Sequence, residues 1–199
     1  MRICFIGDSF VNGTNDPDCL GWVGRVAAET RRRGIDLTVY NLGIRRDTSA
    51  DIAARWQAEC RPRLPPDMPG LLVFSFGVND CSDEAPGRPR VPAATSLGHA
   101  GAVLSAASRL RPTLMVGPPP IDDDGVNARI AALVPTLAAL CAELAVPFLD
   151  VFAALSADPV WRAEVAAHDG AHPGAAGYAA LAELVAAWPA WWQAVGASP

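Results

Sequence analysis

A few residues in this chain have the types, and stand in the order, that acyl transfer requires. Ser9 sits in FIGDSFVNG directly after an apolar run, Gly43 in NLGIRRDT, Asn79 and Asp80 in FGVND, and Asp169 and His172 in HDGAHPGAAGY. A serine hydroxyl is a poor nucleophile until a histidine takes its proton and a carboxylate holds that histidine in the right tautomer. Asp169 and His172 are three residues apart; on a tight turn or helical start this brings the carboxylate to one imidazole nitrogen and leaves the other to face Ser9. The N–H groups of Ser9 and Gly43 and the side-chain amide of Asn79 are of the kind that stabilises an oxyanion. Viewed singly, Gly43 reads as a turn glycine and Asn79-Asp80 as an Asx turn. Their joint order favours catalysis. Asp8 and Asp80 read as hydrogen-bonding anchors for their turns.

Other readings of the same residues carry less. HDGAH places His168 and His172 four apart around Asp169, loosely like the helical HExxH of metallohydrolases. Gly170 and Pro173 oppose a continuous helix through both histidines, so no metal is expected. A non-catalytic flavodoxin-like binding module leaves the Ser, Asn, Asp and His set unexplained, and no GxxxxGK or GxGxxG stretch supports nucleotide binding. IDDDG at Ile121–Gly125 lacks the ligand spacing of an EF-hand. The elbow GxSxG is absent, because position 11 is Val11. His99 reads as a surface or capping residue at the start of an apolar helix, and Trp188, Trp191 and Trp192 as C-terminal packing. Cys81 is read as a buried thiol near the pocket. CSDEAPGRPRVP is consistent with a polar loop or a mobile rim over the site.

Something must deliver these residues to one place, and the pattern of the chain supplies it. Short apolar segments alternate with alanine-rich helical segments, as in βαβ units around a parallel sheet. Strands are predicted over Arg2–Ile6, Leu37–Asn41, Leu71–Phe76, Thr113–Val116 and Pro147–Asp150. Helices are predicted over Trp22–Arg33, Ser49–Cys60, Ala94–Arg109, Asn127–Leu144 and Ala175–Ala187. In open α/β sheets ligands bind beyond the carboxyl ends of the strands, and Ser9, Gly43 and Asn79 all fall there.

The 199 residues suit one domain spanning 1–199. A hydrophobic fraction of 51% and a net charge of −5 describe an ordinary globular chain and disfavour nucleic acid. Arg31, Arg32 and Arg33 fall where a helix ends, facing its dipole. Cys4, Cys19, Cys60, Cys81 and Cys141 are odd in number without a CxxC pair, which suggests neither disulfides nor zinc. The opening MRICFIGDS has no signal-peptide architecture and no stretch reads as a bilayer span, so a cytoplasmic protein with reduced thiols is expected.

With these residues in view, the chain resembles the GDSL, or SGNH, hydrolases, esterases and lipases of a flavodoxin-like three-layer α/β/α fold. GDS, Gly43, GVND and DGAHP are similar to that family's four blocks in order, and the resemblance runs from Gly7 to Pro173 and the helix beyond. Phe10 stands where the family's name has leucine and keeps the apolar character. The resemblance implies Ser9 as nucleophile, Gly43 and Asn79 completing an oxyanion hole with Ser9, His172 as general base and Asp169 as its orienter. It implies no cofactor, and a small-molecule acyl ester as substrate. Short-chain esters fit a compact chain, with acetylated carbohydrates or thioesters as alternatives. Oligomeric state is left open.

Overall fold

A computed structural model of the chain describes residues 1–196. In order the elements are β1 (Arg2–Gly7), α1 (Ser9–Asn12), α2 (Gly21–Arg32), β2 (Thr38–Gly43), α3 (Ser49–Cys60), β3 (Gly70–Ser75), α4 (Val78–Cys81), β4 (Asp83–Ala85), β5 (Arg88–Pro89), α5 (Ala93–Ser108), β6 (Thr113–Val116), α6 (Asp124–Glu143), β7 (Phe148–Leu149), α7 (Phe152–Ala157), α8 (Pro159–Ala167), α9 (Ala175–Ala187) and α10 (Pro189–Ala194). Five strands pair in parallel in the order β2-β1-β3-β6-β7, the mainly parallel α/β sheet expected. β4 and β5 form a separate antiparallel hairpin.

Strands covered on both faces read as unbroken apolar runs, and β1 and β3 are buried throughout except at Arg2. Successive side chains of β1 serve opposite layers. Phe5 packs edge-on against Trp22 of α2 at 5.4 Å and lies 6.0 Å from Trp191 of α10, while Cys4 meets Cys60 of α3. On β3, Phe74 meets Trp56 of α3. Because β2 lies on one side of β1 and β3 on the other, right-handed crossovers place α2 on one face and α3, α5 and α6 on the other. That reversal opens a crevice beyond the carboxyl ends of β1, β2 and β3.

The longer predicted helices all form, with bounds matching at α3 and α9 and ends shifted by one to three residues at α2, α5 and α6. Helices α1, α4, α7, α8 and α10 have no counterpart among the predicted elements, being too short to show a period. β2 extends to Gly43, two residues beyond the expected end, and β7 keeps only two of the four expected residues. Within CSDEAPGRPRVP, expected as a polar loop or a mobile rim, the chain forms the β4–β5 hairpin, where Arg129 pairs with Asp83 and donates to the Cys81 carbonyl. The expectation that no stretch is apolar and long enough to cross a bilayer is corrected by α6, which meets both criteria. Its alanines raise the hydropathy, yet Val126, Ile130, Leu133, Val134, Leu137 and Cys141 form a buried stripe. Trp191 and Trp192 are buried as C-terminal packing.

Gly7 ends β1 in register with both Gly43 and Ser75. A Cβ there would lie 2.0 Å from the Ser75 carbonyl oxygen and 2.4 Å from Val11. Backbone cannot yield as a flexible side chain does, so Gly7→Ala is expected to destabilise the protein by roughly 2–3 kcal/mol, measurable as a lowered urea midpoint with an unchanged slope.

Candidate active site

Ser9 is the first residue of α1, immediately beyond β1. Asp8 is its N-cap, with Oδ1 accepting from the Phe10 N–H at 3.0 Å. The chain turns from strand to helix within two residues, which brings the Ser9 hydroxyl to the crevice while leaving the residue 4% exposed. Gly43 makes this turn feasible. A Cβ at position 43 would lie 2.2 Å from the Asn12 nitrogen and 2.8 Å from the Asp8 carbonyl oxygen. Asn41 completes the junction: its Nδ2 donates to Val11 O at 2.7 Å and its Oδ1 accepts from the Gly43 N–H at 3.0 Å.

The histidine arrives on the segment between α8 and α9. Helix α8 ends at Ala167, and Gly170 takes φ +75°, so the HDGAH segment is not a helix. Asp169 Oδ1 accepts from the backbone N–H groups of Ala171 and His172 at 3.1 and 2.8 Å, and its Oδ2 lies 2.8 Å from His172 Nδ1. His172 Nε2 lies 2.7 Å from Ser9 Oγ. Ser9, His172 and Asp169 thus form one hydrogen-bonded chain that uses both imidazole nitrogens. Further contacts fix the ring. Phe10 packs against it at 4.8 Å and stacks on Trp161, whose indole N–H donates to Pro120 O. Glu164 of α8 accepts from the N–H groups of Gly174, Ala176 and Gly177, tying α8 to the start of α9.

Burial pulls the His172 pKa below the ordinary value of 6.5; Asp169 opposes this and the nearby Arg45 guanidinium reinforces it, so the imidazole rests neutral at pH 7. Burial also disfavours charge on Asp169. Its hydrogen bonds with the His172 backbone and ring and with the Ala171 N–H outweigh that, and hold its carboxyl well below the usual carboxylate range. Asp8 is pushed up to about 7 by complete burial, with the Asp80 and Asp47 carboxylates adding to the rise.

The remaining expected residues converge less simply. Asn79 reaches the crevice from α4, but its amide is already engaged, donating to Asp8 Oδ2 at 3.3 Å and to Asp47 O at 3.0 Å. The Gly43 N–H is likewise engaged by Asn41. The Ser9 N–H, at the first helical position, has no intrahelical acceptor. Asp80 is not an anchor of its own turn: Oδ1 accepts from the Ser49 N–H at 2.7 Å and Oδ2 from the Ser96 hydroxyl, joining α4 to α3 and α5. His99 is no cap or free surface residue, since it lies within α5 with Nδ1 2.9 Å from Ser49 Oγ. Cys81 is buried beside a cavity of about 310 Å³ that Leu97 and Leu133 also line, and burial pushes its thiol up to about 12. Asn41, Arg45, Asp47 and Glu164 belong to the site and are not singled out by the sequence. Asn41 stands two residues before a strand-end glycine, and that is the one available signal.

A family model described as the GDSL-like Lipase/Acylhydrolase family matches residues 5–180. A comparison with curated proteins finds no match. Among solved structures, a lipase/acylhydrolase from Enterococcus faecalis is 23% identical, with 92% of each chain covered and a TM-score of 0.75. An acetylxylan esterase from Geobacillus stearothermophilus is 19% identical over 98% of this chain and 94% of its own, with a TM-score of 0.73. A member of the lipolytic protein G-D-S-L family from Veillonella parvula is 18% identical over 94% and 96%, with a TM-score of 0.75.

His172 is expected to titrate below about pH 6.5, and the midpoint is readable from its ring-proton NMR shifts. Its folded value lies below its unfolded value, so protonation opposes folding. The site is therefore at full stability above about pH 6.5 and loses it as pH falls toward the folded pKa.

Proposed function

Since this chain belongs to the GDSL-like lipase/acylhydrolase family, we propose that it is a serine ester hydrolase working through an acyl-enzyme on Ser9. The reading rests on the continuous hydrogen-bonded chain from Ser9 Oγ through His172 to Asp169, at 2.7 and 2.8 Å. Catalytic mutants of the Geobacillus acetylxylan esterase replace a serine, an aspartate and a histidine, the aspartate three positions before the histidine. Asp169 and His172 have the same spacing.

As Ser9 Oγ attacks the ester carbonyl carbon, His172 Nε2 takes the hydroxyl proton and the carbonyl π electrons move to oxygen. Asp169 stabilises the imidazolium and keeps Nδ1 protonated. The oxyanion is received by the Ser9 N–H and by Asn79, whose 3.3 Å bond to Asp8 is the weaker of its two and the one to be exchanged. Gly43 lets the nucleophile's backbone lie this close. The tetrahedral species collapses, the alcohol leaves with the proton from His172, and a water deprotonated by His172 hydrolyses the acyl-enzyme. No step requires a metal or cofactor.

The substrate is proposed to be a small or short-chain acyl ester, because between β3 and α5 the described residues hold only short elements, α4 and the β4–β5 hairpin, and no large lid. Carbohydrate O-acetyl esters are the second reading, by analogy with the Geobacillus enzyme.

Ser9→Ala and His172→Ala should each lower kcat for p-nitrophenyl acetate by thousands-fold or more, with little further loss in the double variant because the residues act as a unit. Full activity in either would overturn the assignment. Asn79→Ala should cost about a hundredfold to a thousandfold in kcat; unchanged turnover with lowered stability would make it a turn residue only. The acid limb of kcat/KM should have its midpoint below about pH 6.5 and keep it in Asp8→Asn. A midpoint that moves in that variant would transfer the limb from His172 to Asp8.

A further inference from the structure

The loop after β2 carries more than the geometry of the oxyanion site demands. Residues 44–47 form a tight turn, closed by the Asp47 N–H donating to Ile44 O at 3.3 Å. Both ends are fixed to the catalytic rim: the Ile44 N–H donates to Gly7 O, and Asp47 O accepts from Asn79. Its third residue, Arg46, has φ +70°. That conformation normally goes to glycine, because a Cβ is crowded there. A strained non-glycine at a site rim points to a role for the side chain that offsets the strain.

The charges around this turn are unbalanced. Arg45 and Arg46 are exposed, and Arg90, from the segment after β5, donates to the Arg46 carbonyl at 2.9 Å. Among the described residues, neither Arg46 nor Arg90 has a carboxylate within 4.0 Å, and Arg45 has only Asp169, at 3.9 Å. The Asp169 carboxylate is already committed to His172 and two backbone donors. Of the other nearby acids, Asp47 pairs with Arg55, and Asp51 accepts from the Thr48 N–H and hydroxyl while its charge acts on Arg90 from beyond 4.0 Å. Arg45 thus lies beside the Asp169–His172 pair, Arg46 follows it in the exposed turn, and Arg90 reaches the backbone of the same turn, in a chain of net charge −5. Planar, always-charged forks of this kind suit bidentate recognition of carboxylate or phosphate.

Resting on the esterase reading above, we infer that Arg45, Arg46 and Arg90 form a recognition site for an anionic group on the substrate. The preferred ester bears a carboxylate or phosphate on its acyl or its alcohol part, close to the scissile bond.

Matched substrates test this and separate the two positions. Mono-4-nitrophenyl succinate against 4-nitrophenyl butyrate places the anion on the acyl side; 4-acetoxybenzoate against phenyl acetate places it on the alcohol side. Wild type is expected to favour the anionic member of at least one pair by about tenfold in kcat/KM, after normalisation to the pair's alkaline hydrolysis rates, as two or three partly exposed charge pairs would give. The preference should shrink as salt is raised. In Arg45→Gln/Arg46→Gly the ratio should fall to near one. Arg46→Gly alone should lower the ratio while raising Tm by about 2–4 °C through relief of the turn, an outcome that a purely structural role for Arg46 does not produce. A wild-type ratio near one in both pairs, or a preference that survives in the double variant, would overturn the inference and leave the esterase reading intact. If wild type hydrolyses none of the four esters, it is the esterase reading that fails. Calorimetry with succinate then decides the anion site: binding lost in the double variant supports it, and absent or equal binding removes it.

Discussion

The rim depends on how closely the backbone of Asp8–Asn12 lies against Gly43. With hydrogen as the side chain at 43, the end of β2 touches the first turn of α1, and Asn41 can bond to both sides of the junction. Ser9 then sits on a turn held from three sides: by Gly7 within the sheet, by Asp8 as its cap, and by Asn41 beneath. A hydroxyl placed in this way needs no motion of the main chain to meet His172. The same contact sets where the Ile44–Asp47 turn begins, and through Asp47 O it sets the position of Asn79.

The histidine is held by a different kind of constraint. It lies on a connecting segment, where precision has to come from hydrogen bonds rather than from a sheet. Asp169 supplies part of it by accepting from the backbone of His172 as well as from its ring, so one carboxylate fixes both the segment and the tautomer. Glu164 fixes the far end of the segment at α9, and the Asp122 N–H fixes its middle by donating to Gly170 O. Phe10, backed by Trp161, then packs against the imidazole. Burial lowers the pKa of His172, while the paired Asp169 carboxylate favours its protonated form.

Much of this is legible in the sequence because the fold and the segments that carry Ser9, Asp169 and His172 announce themselves locally. β1 and β3 are continuous apolar runs, the five long helices carry alanine-rich periods, and Ser9, Asp169 and His172 stand in short segments whose residue types, taken together, suit acyl transfer better than turn formation alone. The pairing of Asp169 with His172 is readable from a spacing of three residues. What cannot be read depends on contacts between segments far apart in sequence. Asp80 looks like a local turn former, and its partners Ser49 and Ser96 are 31 and 16 residues away. His99 meets Ser49 only because α3 and α5 lie side by side. The β4–β5 hairpin has too few residues to alternate. Asp158-Pro159, by contrast, is a cap followed by a first-turn proline, a local signal for α8 that the helical period alone does not reveal.

The acids around Asn79 raise an electrostatic problem that the fold resolves residue by residue. Asp8, Asp47 and Asp80 lie close enough for the latter two to raise the pKa of the first. A full negative charge about 4 Å from a forming oxyanion would oppose it by on the order of 4 kcal/mol at a surface-like dielectric, which would offset a good hydrogen-bond donor. Asp47 is neutralised by Arg55 at 2.6 Å. Asp80 is spread over a backbone N–H and a hydroxyl on the side facing α3 and α5. Asp8, adjacent to Ser9, has no cation within 4.0 Å among the described residues and is instead driven toward its neutral form by burial. A neutral Asp8 still accepts from Phe10 and Asn79 through its oxygens, so the cap and the amide stay in place with less opposing charge at the reacting carbonyl. Guanidinium groups on the outer rim act in the same direction. In the proposed reaction the negative charge thus arises between a damped interior and the exposed arginines of the rim, in a protein of net charge −5.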